Sequence, residues 1–232
     1  MKLGQRLTQL NDMIPTGYTH IWDCCCDHGL LGAALLSRQA ATTIHFVDIV
    51  PNLMQQLERK LERFYPLQTP PQWQVHCMDV AQIPLSDHPE TPLVIIAGVG
   101  GDLMIELVNS ICRNNPEQHI DFMLCPVHHQ YELRQKLIQL NCRLINEILL
   151  EENHRFYEIL YVSRHSKASS HDNDPSTLIS PVGSKLWQYH SEAQRDIAQR
   201  YLNKVLTHYQ KISLSNPQKA AQAQQDYRMV RF

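Results

Sequence analysis

The sequence predicts an α/β fold: a mainly parallel, seven-stranded sheet with helices on both faces, continued at its C-terminus by a helical extension. Three observations lead there. Hydrophobic runs rich in β-branched residues alternate with helical stretches through residue 165. The last two runs are separated only by the turn-like "ENH", as in an antiparallel hairpin. Beyond a polar gap, apolar residues then recur at steps of three or four. Composition agrees, since 232 residues, 43% hydrophobic and 19% charged, suffice for one sizeable core. No apolar run approaches the roughly 18 residues a membrane span needs. The opening "MKLGQRLTQLNDMIP" is polar and amphipathic, without the apolar stretch of a secretory signal. Seven cysteines with no CxxC pair fit a reducing compartment, so a cytoplasmic protein is expected.

Taken in order, strands are expected near 20–26, 43–48 ("TIHFVD"), 72–77 ("QWQVHC"), 92–97 ("PLVIIA") and 120–125 ("IDFMLC"). Helices fall between them at 29–38 ("GLLGAALLSR"), 51–64, 102–113 and 130–140, and Pro51 suits a first helical turn. "RLINEILLE" and "RFYEILYVS" then form the hairpin at a sheet edge. Seven strands closing in such a hairpin suggest the methyltransferase variant of the Rossmann-like fold. "HSKASSHDNDPST" has no apolar period and reads as a linker. Boundaries are therefore expected at 1–165 for a catalytic domain, 166–177 for the linker and 178–232 for a helical, coiled-coil-like domain. In that last part Leu186, Tyr189, Ala193, Ile197, Tyr201, Val205, Tyr209 and Ile212 predict one face of a long helix, broken at "SNP" with Asn216 as cap and Pro217 in the first turn of a short helix. Charge is divided unevenly: from Lys185 onward eight basic and three acidic residues give +5, which leaves −7 of the total −2 for the first 184 residues. A chain ending at Ser176 is expected to keep its fold.

The stretch "HIWDCCCDHGLLG" at 20–32 admits a metal site, a redox centre or a nucleotide loop with its glycines replaced. Alternation along a strand would point Cys24 and Cys26 one way and Cys25 the other, and three adjacent cysteines cannot close a tetrahedral cage. Neighbouring cysteines also strain a disulfide. No metal is expected; cysteine is among the most buried residue types, and packing at the end of a central strand accounts for the run. The nucleotide loop survives because of position. Asp23 ends the first strand and a tight turn leads into an apolar helix, the place where open α/β sheets bind nucleotide-type ligands. The common loop of S-adenosylmethionine enzymes is D-x-G-x-G-x-G, and "DCCCDHG" keeps Asp23 and Gly29 while setting Cys25 and Asp27 at the other glycine positions. Asp48 ends the second strand, placed to accept from ribose hydroxyls, and Asp79, with Val80 beside it, ends the third, placed to accept from an adenine amino group.

With these residues in view, the chain resembles the bacterial tRNA (adenine-22, N1) methyltransferases of the TrmK type, over residues 1 to about 165. The resemblance rests on four ordered motifs: "RLTQLNDMIPTGYTHIWDCCCDHGLLG", "IAGVGGDLM", "LCPVHHQYELRQKL" and "EILLEENHRFYEILYV". It implies a class I fold, S-adenosylmethionine as cofactor, tRNA as partner and a monomer or weak dimer with no membrane attachment. It departs from the family at Cys25, where a glycine is usual, and at Cys125 and Val127, which replace Gln and Asn. A positive φ at Cys25 would carry strain.

Methyl transfer from a sulfonium is an in-line displacement in which the protein supplies alignment and exclusion of water. Adenine N1 carries a free lone pair at neutral pH, so no general base is required. The fourth strand end, "AGVGG", lacks the Asp/Asn-Pro-Pro-aromatic pattern of enzymes that methylate exocyclic amines. Gly98, Gly100 and Gly101 let backbone approach the ligand closely, and Asp102 is expected to cap the following helix. Asp27, His28, Gly98 and Gly100 are the expected catalytic set; Asp23, Cys25, Asp27, Gly29, Asp48, Asp79, Val80 and Gly98 the expected cofactor contacts. His128, His129 and Tyr131 follow the fifth strand, where a target base could enter, and Tyr131 either stacks on it or packs against the sheet. A small-molecule methyltransferase and an inactive binding module on the same fold remain alternatives.

Overall fold

The computed structural model describes residues 3–66, 68–165 and 174–231. Seven strands form one sheet: β1 (Tyr18–Cys24), β2 (Ala41–Asp48), β3 (Trp73–Cys77), β4 (Leu93–Ala97), β5 (Ile120–Cys125), β6 (Arg143–Glu152) and β7 (Arg155–Arg164). Their spatial order is β3-β2-β1-β4-β5-β7-β6, parallel as far as β5, with β7 antiparallel to both β5 and β6. The sheet reverses direction of growth between β1 and β4, the place where such folds open a crevice for ligands. The turn between β6 and β7 is Asn153-His154, with φ of 51° and 61°, the left-handed pair that a two-residue hairpin favours.

Period-two alternation assigns each strand's residues to two cores. Ile21, Ile44, Phe46, Ile95, Met123 and Ile159 face α1 (Gln5–Met13), α2 (Leu30–Ser37) and α3 (Pro51–Phe64), which contribute Leu10, Leu35 and Leu57 among others. Trp22, Val47, Val94, Ile96, Phe122 and Leu160 face α4 (Gly101–Asn114) and α5 (Gln130–Gln139), with Met104, Val108, Leu133 and Leu137. A fully buried side chain of this kind contributes roughly 1.5–3 kcal/mol, so these two layers dominate the stability of the fold.

The C-terminal part departs from its sequence reading in its start. α6 runs Glu192–Ser215 and α7 Pro217–Arg228, with the break at Asn216 as expected. Leu186 and Tyr189 precede α6 instead of belonging to it, because Ser191 caps the helix by accepting from the Gln194 N–H. The expected stripe also shifts: Ala193 is exposed, whereas Ala198 and Leu202 are buried beside Tyr201 and Tyr209. Residues 166–173 of the expected linker lie outside the described residues; Asp174 then caps a 3₁₀ turn at Pro175–Thr177. From Ile179, buried in the α4/α5 layer, the chain is packed on the catalytic unit.

That packing centres on Arg134 of α5, which is fully buried. Its Nη2 donates to Glu147 of β6 at 2.6 Å and its Nε to Glu158 of β7 at 2.7 Å. Residues after the linker complete the cluster: Ser180 carbonyl accepts from Arg134, Ser184 and Lys185 N–H groups donate to Glu147, and Tyr201 hydroxyl donates to Glu158. Burial opposes charge on Arg134, yet Glu158 and Glu147 outweigh it and hold the guanidinium more firmly protonated than usual.

Candidate functional site

The site is built on the loop joining β1 to α2. β1 ends at Cys24, so strand alternation stops there, and the expected orientation of the cysteines is corrected: Cys24 and Cys25 pack in the α4/α5 layer while Cys26 packs in the other. All seven cysteines are free. The reason is backbone conformation. Cys25, Asp27 and Gly29 have φ of 55°, 50° and 65°, left-handed at every second residue. These are the three positions that glycines take in D-x-G-x-G-x-G, so the loop holds a glycine-type path with two side chains on it. An L residue in that region costs roughly 1–2 kcal/mol.

Neighbouring contacts sustain that cost. The Asp27 N–H donates to Asp48 Oδ2 at 3.1 Å, the Val50 N–H donates to Asp48 Oδ1, and the Cys26 N–H donates to the Val47 carbonyl. Asp23, 5% exposed, turns its carboxylate to the Gly32 N–H at 2.8 Å and ties β1 to α2. Burial, with the charge of Asp48 added, pushes the Asp23 carboxyl up to about 7 against the opposing effect of that hydrogen bond. Burial and then the carboxylates of Asp48, Asp23 and Asp79 push the Cys25 thiol up to about 11. Three strand-end acids thus surround one loop. Gly29 lies under Leu57 and Phe46, where a Cβ would come within 2.8 Å of a leucine methyl, so its part is to close the turn.

A cleft of about 220 Å³ opens between this loop and the end of β4, lined by Asp23, Cys25, Asp27, His28 and Gly98 of the expected set. Asp48 abuts it through Asp27, while Asp79 and Val80 lie further out beyond β3; Asp79 accepts from the Ala81 N–H, and Val80 is buried. Asp27 and His28 are exposed, 3.8 Å apart at Oδ1 and Nε2. Gly98, with φ of 84°, takes a conformation that favours glycine. Gly100 stands apart from the cleft: the His128 ring covers it so closely that a Cβ would fall 2.6 Å from the ring. Gly100 is also the residue that caps α4, so the expected cap at Asp102 is corrected; Asp102 lies in the first turn, 2.9 Å from Nδ1 of His129.

Sequence reasoning missed Arg6. It comes from α1 and lines the cleft beside Gly98, its guanidinium over the Tyr157 ring at 5.1 Å and near the Cys125 thiol, with Nε and Nη1 buried and without an oxygen acceptor among the described residues. It opens the first quoted motif, but an arginine on a polar amphipathic helix looks the same in sequence as a solvated one. Tyr131 sits among the C-terminal helices with its hydroxyl donating to Asp226 at 2.8 Å, and it also lines the second cleft. A second cleft of about 230 Å³ runs between the loop after β5 and α6, lined by Val127, His128, Phe156, Lys204 and His208 among others. On the exposed side of α6, Lys204, His208 and Lys211 follow at helical spacing. Arg200 is instead bound by Glu151 and Asp196. Among the described residues, no helix is long and apolar enough to cross a membrane.

Solved structures share this architecture. TrmK of M. capricolum in complex with S-adenosyl-homocysteine aligns at TM-score 0.71 and 17% identity, over 98% of this chain and 97% of that one. The B. subtilis m1A22 tRNA methyltransferase TrmK aligns at 0.72 and 20%, over 98% and 97%. Sp1610 of Streptococcus pneumoniae in complex with S-adenosyl-L-methionine aligns at 0.69 and 20%, over 98% of both. A search of curated proteins found no match. The family described as "Methyltransferase domain" matches residues 3–160, more than half of the sequence, and the chain belongs to that family.

Proposed function

We propose that this methyltransferase moves a methyl group from S-adenosylmethionine to N1 of an adenine in tRNA, at the position of adenine-22, working in the cytoplasm as a monomer or weak dimer. The observation that carries the cofactor assignment is the loop from Asp23 to Gly29, whose backbone is left-handed at each of the three glycine positions of the cofactor loop although two of them are not glycine. The residues fit the cofactor: Arg6, stacked over Tyr157, lines the cleft with Nε and Nη1 buried and lacking an oxygen acceptor among the described residues, and is a partner for the carboxylate of the methionine moiety. Asp48 and Asp79, at the next two strand ends, are acceptors for ribose and adenine.

The cofactor supplies an electrophilic methyl group on a sulfonium, and the protein's task is to hold a nucleophilic nitrogen in line with it. Adenine N1 needs no base to attack. The exposed carboxylate of Asp27 at the cleft favours the cationic product ring. An interior tRNA base must leave its stack to present its Watson–Crick edge. The second cleft leads from the Lys204–Lys211 face past His128, which also covers Gly100, and so supports a path for such a base. The four ordered motifs of the sequence resemblance and the full-length structural likeness to TrmK structures support the same reading.

The test is methyl transfer by purified protein onto unmodified tRNA, with nucleosides identified by mass spectrometry. 1-Methyladenosine at position 22, absent when that base is replaced, is the expected result. Methylation of metabolites but not tRNA would move the protein to the small-molecule class; absence of S-adenosylmethionine binding by calorimetry would make it an inactive module.

A further inference from the structure

Away from the cofactor cleft, three adjacent strands carry histidines on one face of the sheet. Parallel pairing sets Trp22 beside His45 and Val47 beside His76, so His20 and Trp22 of β1, His45 of β2 and His76 of β3 share that face. His20 Nδ1 lies 3.0 Å from His45 Nε2, and His45 Nδ1 lies 3.0 Å from His76 Nε2. His88, just after a 3₁₀ turn at Leu85–Asp87, stacks its ring on His20 with centroids 3.8 Å apart. Trp22 stacks on His45 at 3.9 Å and 7°. The result is that one ring nitrogen each from His20, His45 and His88 lies within 4.8 Å of the others.

We propose that His20, His45 and His88 form a binding site for a borderline divalent transition cation of the zinc class, distinct from the methyl-transfer cleft. Imidazole nitrogen in its neutral form is the preferred ligand of such ions, and three of them with one open position make a tetrahedral set. Ligands about 2.0–2.1 Å from the ion stand about 3.3 Å apart, close to the present separation of the His20 and His45 nitrogens. His88 follows the 3₁₀ turn on a loop, and completing the set requires its ring to turn out of its stack on His20. Burial first, and then the neighbouring imidazoles, push His45 down to about 2, and burial first lowers His20 and His76 as well, so the rings are held in the neutral form that ligates an ion. Glu90 is the charged group whose field reaches His20, and its negative charge favours a cation there. His76, donating or accepting at the far nitrogen of His45, orients that ring as outer partners of metal ligands do.

The experiment uses the full chain, stripped with chelator and titrated with Zn²⁺ in calorimetry and with Co²⁺ as a visible probe. One equivalent is expected to bind, with tetrahedral Co²⁺ absorption and no thiolate charge-transfer band. His20 and His88 are half-exposed, so His20→Gln and His88→Gln keep the fold, checked by circular dichroism without metal, and each weakens Zn²⁺ binding at least about tenfold. Three results overturn the proposal: no stoichiometric binding, binding of equal affinity in the His20→Gln/His88→Gln double variant, or a thiolate band that moves the ion to the cysteines.

Discussion

At Cys25 a residue with a side chain occupies a backbone conformation that glycine adopts freely, and the balance of effects there is small enough to test. Removing the side chain relieves roughly 1–2 kcal/mol of left-handed strain but adds roughly 0.5–1 kcal/mol of unfolded-chain entropy and gives up a half-buried thiol. Cys25→Gly should therefore change stability by no more than about 1 kcal/mol in urea titration and retain S-adenosylmethionine affinity. Cys25→Val, with a β-branched side chain at φ of 55°, should lose both. Equal behaviour of the two would mean that the loop path is not what binding depends on. Asp23 gives a pH-dependent counterpart. Its folded carboxyl, near 7, lies above the unfolded value of about 3.9, so its contribution to stability is complete below about pH 4 and is lost as pH rises through 7. Asp23→Asn stays neutral and can still accept from the Gly32 N–H; it should melt above wild type at pH 8, with the gap closing toward pH 4. A gap independent of pH from about 4 to 8 would show that the Asp23 carboxyl is not raised on folding. Of these side chains, Asp23 and Cys25 were legible as loop residues because they occupy numbered places in a motif. Their conformation was not, since a motif names residue types and not the dihedral angles that neighbours such as Asp48 impose.

Helices and strands were legible where burial sets their period. The five parallel strands and α3, with Met54, Leu57 and Leu61 on one face, follow from pattern alone. The start of α6 was not, because Leu186 and Tyr189 extend its three-and-four spacing by coincidence while Leu186 is buried in an irregular segment. The local signal was Ser191 with Gln194 three residues on, a capping pair whose glutamine also accepts from the His190 N–H. Burial of Arg134 was equally hidden: its partners Glu147 and Glu158 lie on a hairpin 13 and 24 residues away, and exposed helix arginines look the same in sequence. The cluster ties α5, the β6–β7 hairpin and the C-terminal segment together. Arg134→Met leaves two buried carboxylates facing each other and should cost about 3–5 kcal/mol in urea denaturation. Glu158→Gln, which keeps an acceptor and removes one charge, should cost less. A loss under about 1 kcal/mol for Arg134→Met would show that the carboxylates take up protons or water and that the clamp adds little.

For the whole molecule, the decisive question is whether the C-terminal helices are an appendage or part of one folding unit. The expectation that a chain ending at Ser176 keeps its fold does not survive the packing. Truncation there removes the Ser180 carbonyl, the Ser184 and Lys185 N–H groups and the Tyr201 hydroxyl from the Arg134 cluster, and it uncovers Tyr131 and the place of Ile179 in the main core. Such a chain should aggregate or unfold, so its failure to bind tRNA would say nothing about recognition. The surface that can be altered without that damage is the exposed row of Lys204, His208 and Lys211, since the buried side of α6 is held by Ala198, Tyr201, Leu202 and Tyr209. Phosphate contacts made by such a row carry no sequence information and release counterions, so their loss shows in the salt dependence as well as in affinity. Lys204→Glu combined with Lys211→Glu should leave S-adenosylmethionine binding unchanged, cost no more stability than the Lys204–Phe156 cation–π contact, about 0.5–1 kcal/mol, and weaken tRNA binding at least about tenfold at physiological salt. The slope of log affinity against log salt should fall by about 1–2, as two lost phosphate contacts require. Unchanged tRNA affinity and slope in that variant would assign RNA recognition to the catalytic face and leave the C-terminal helices as a brace for the Arg134 cluster.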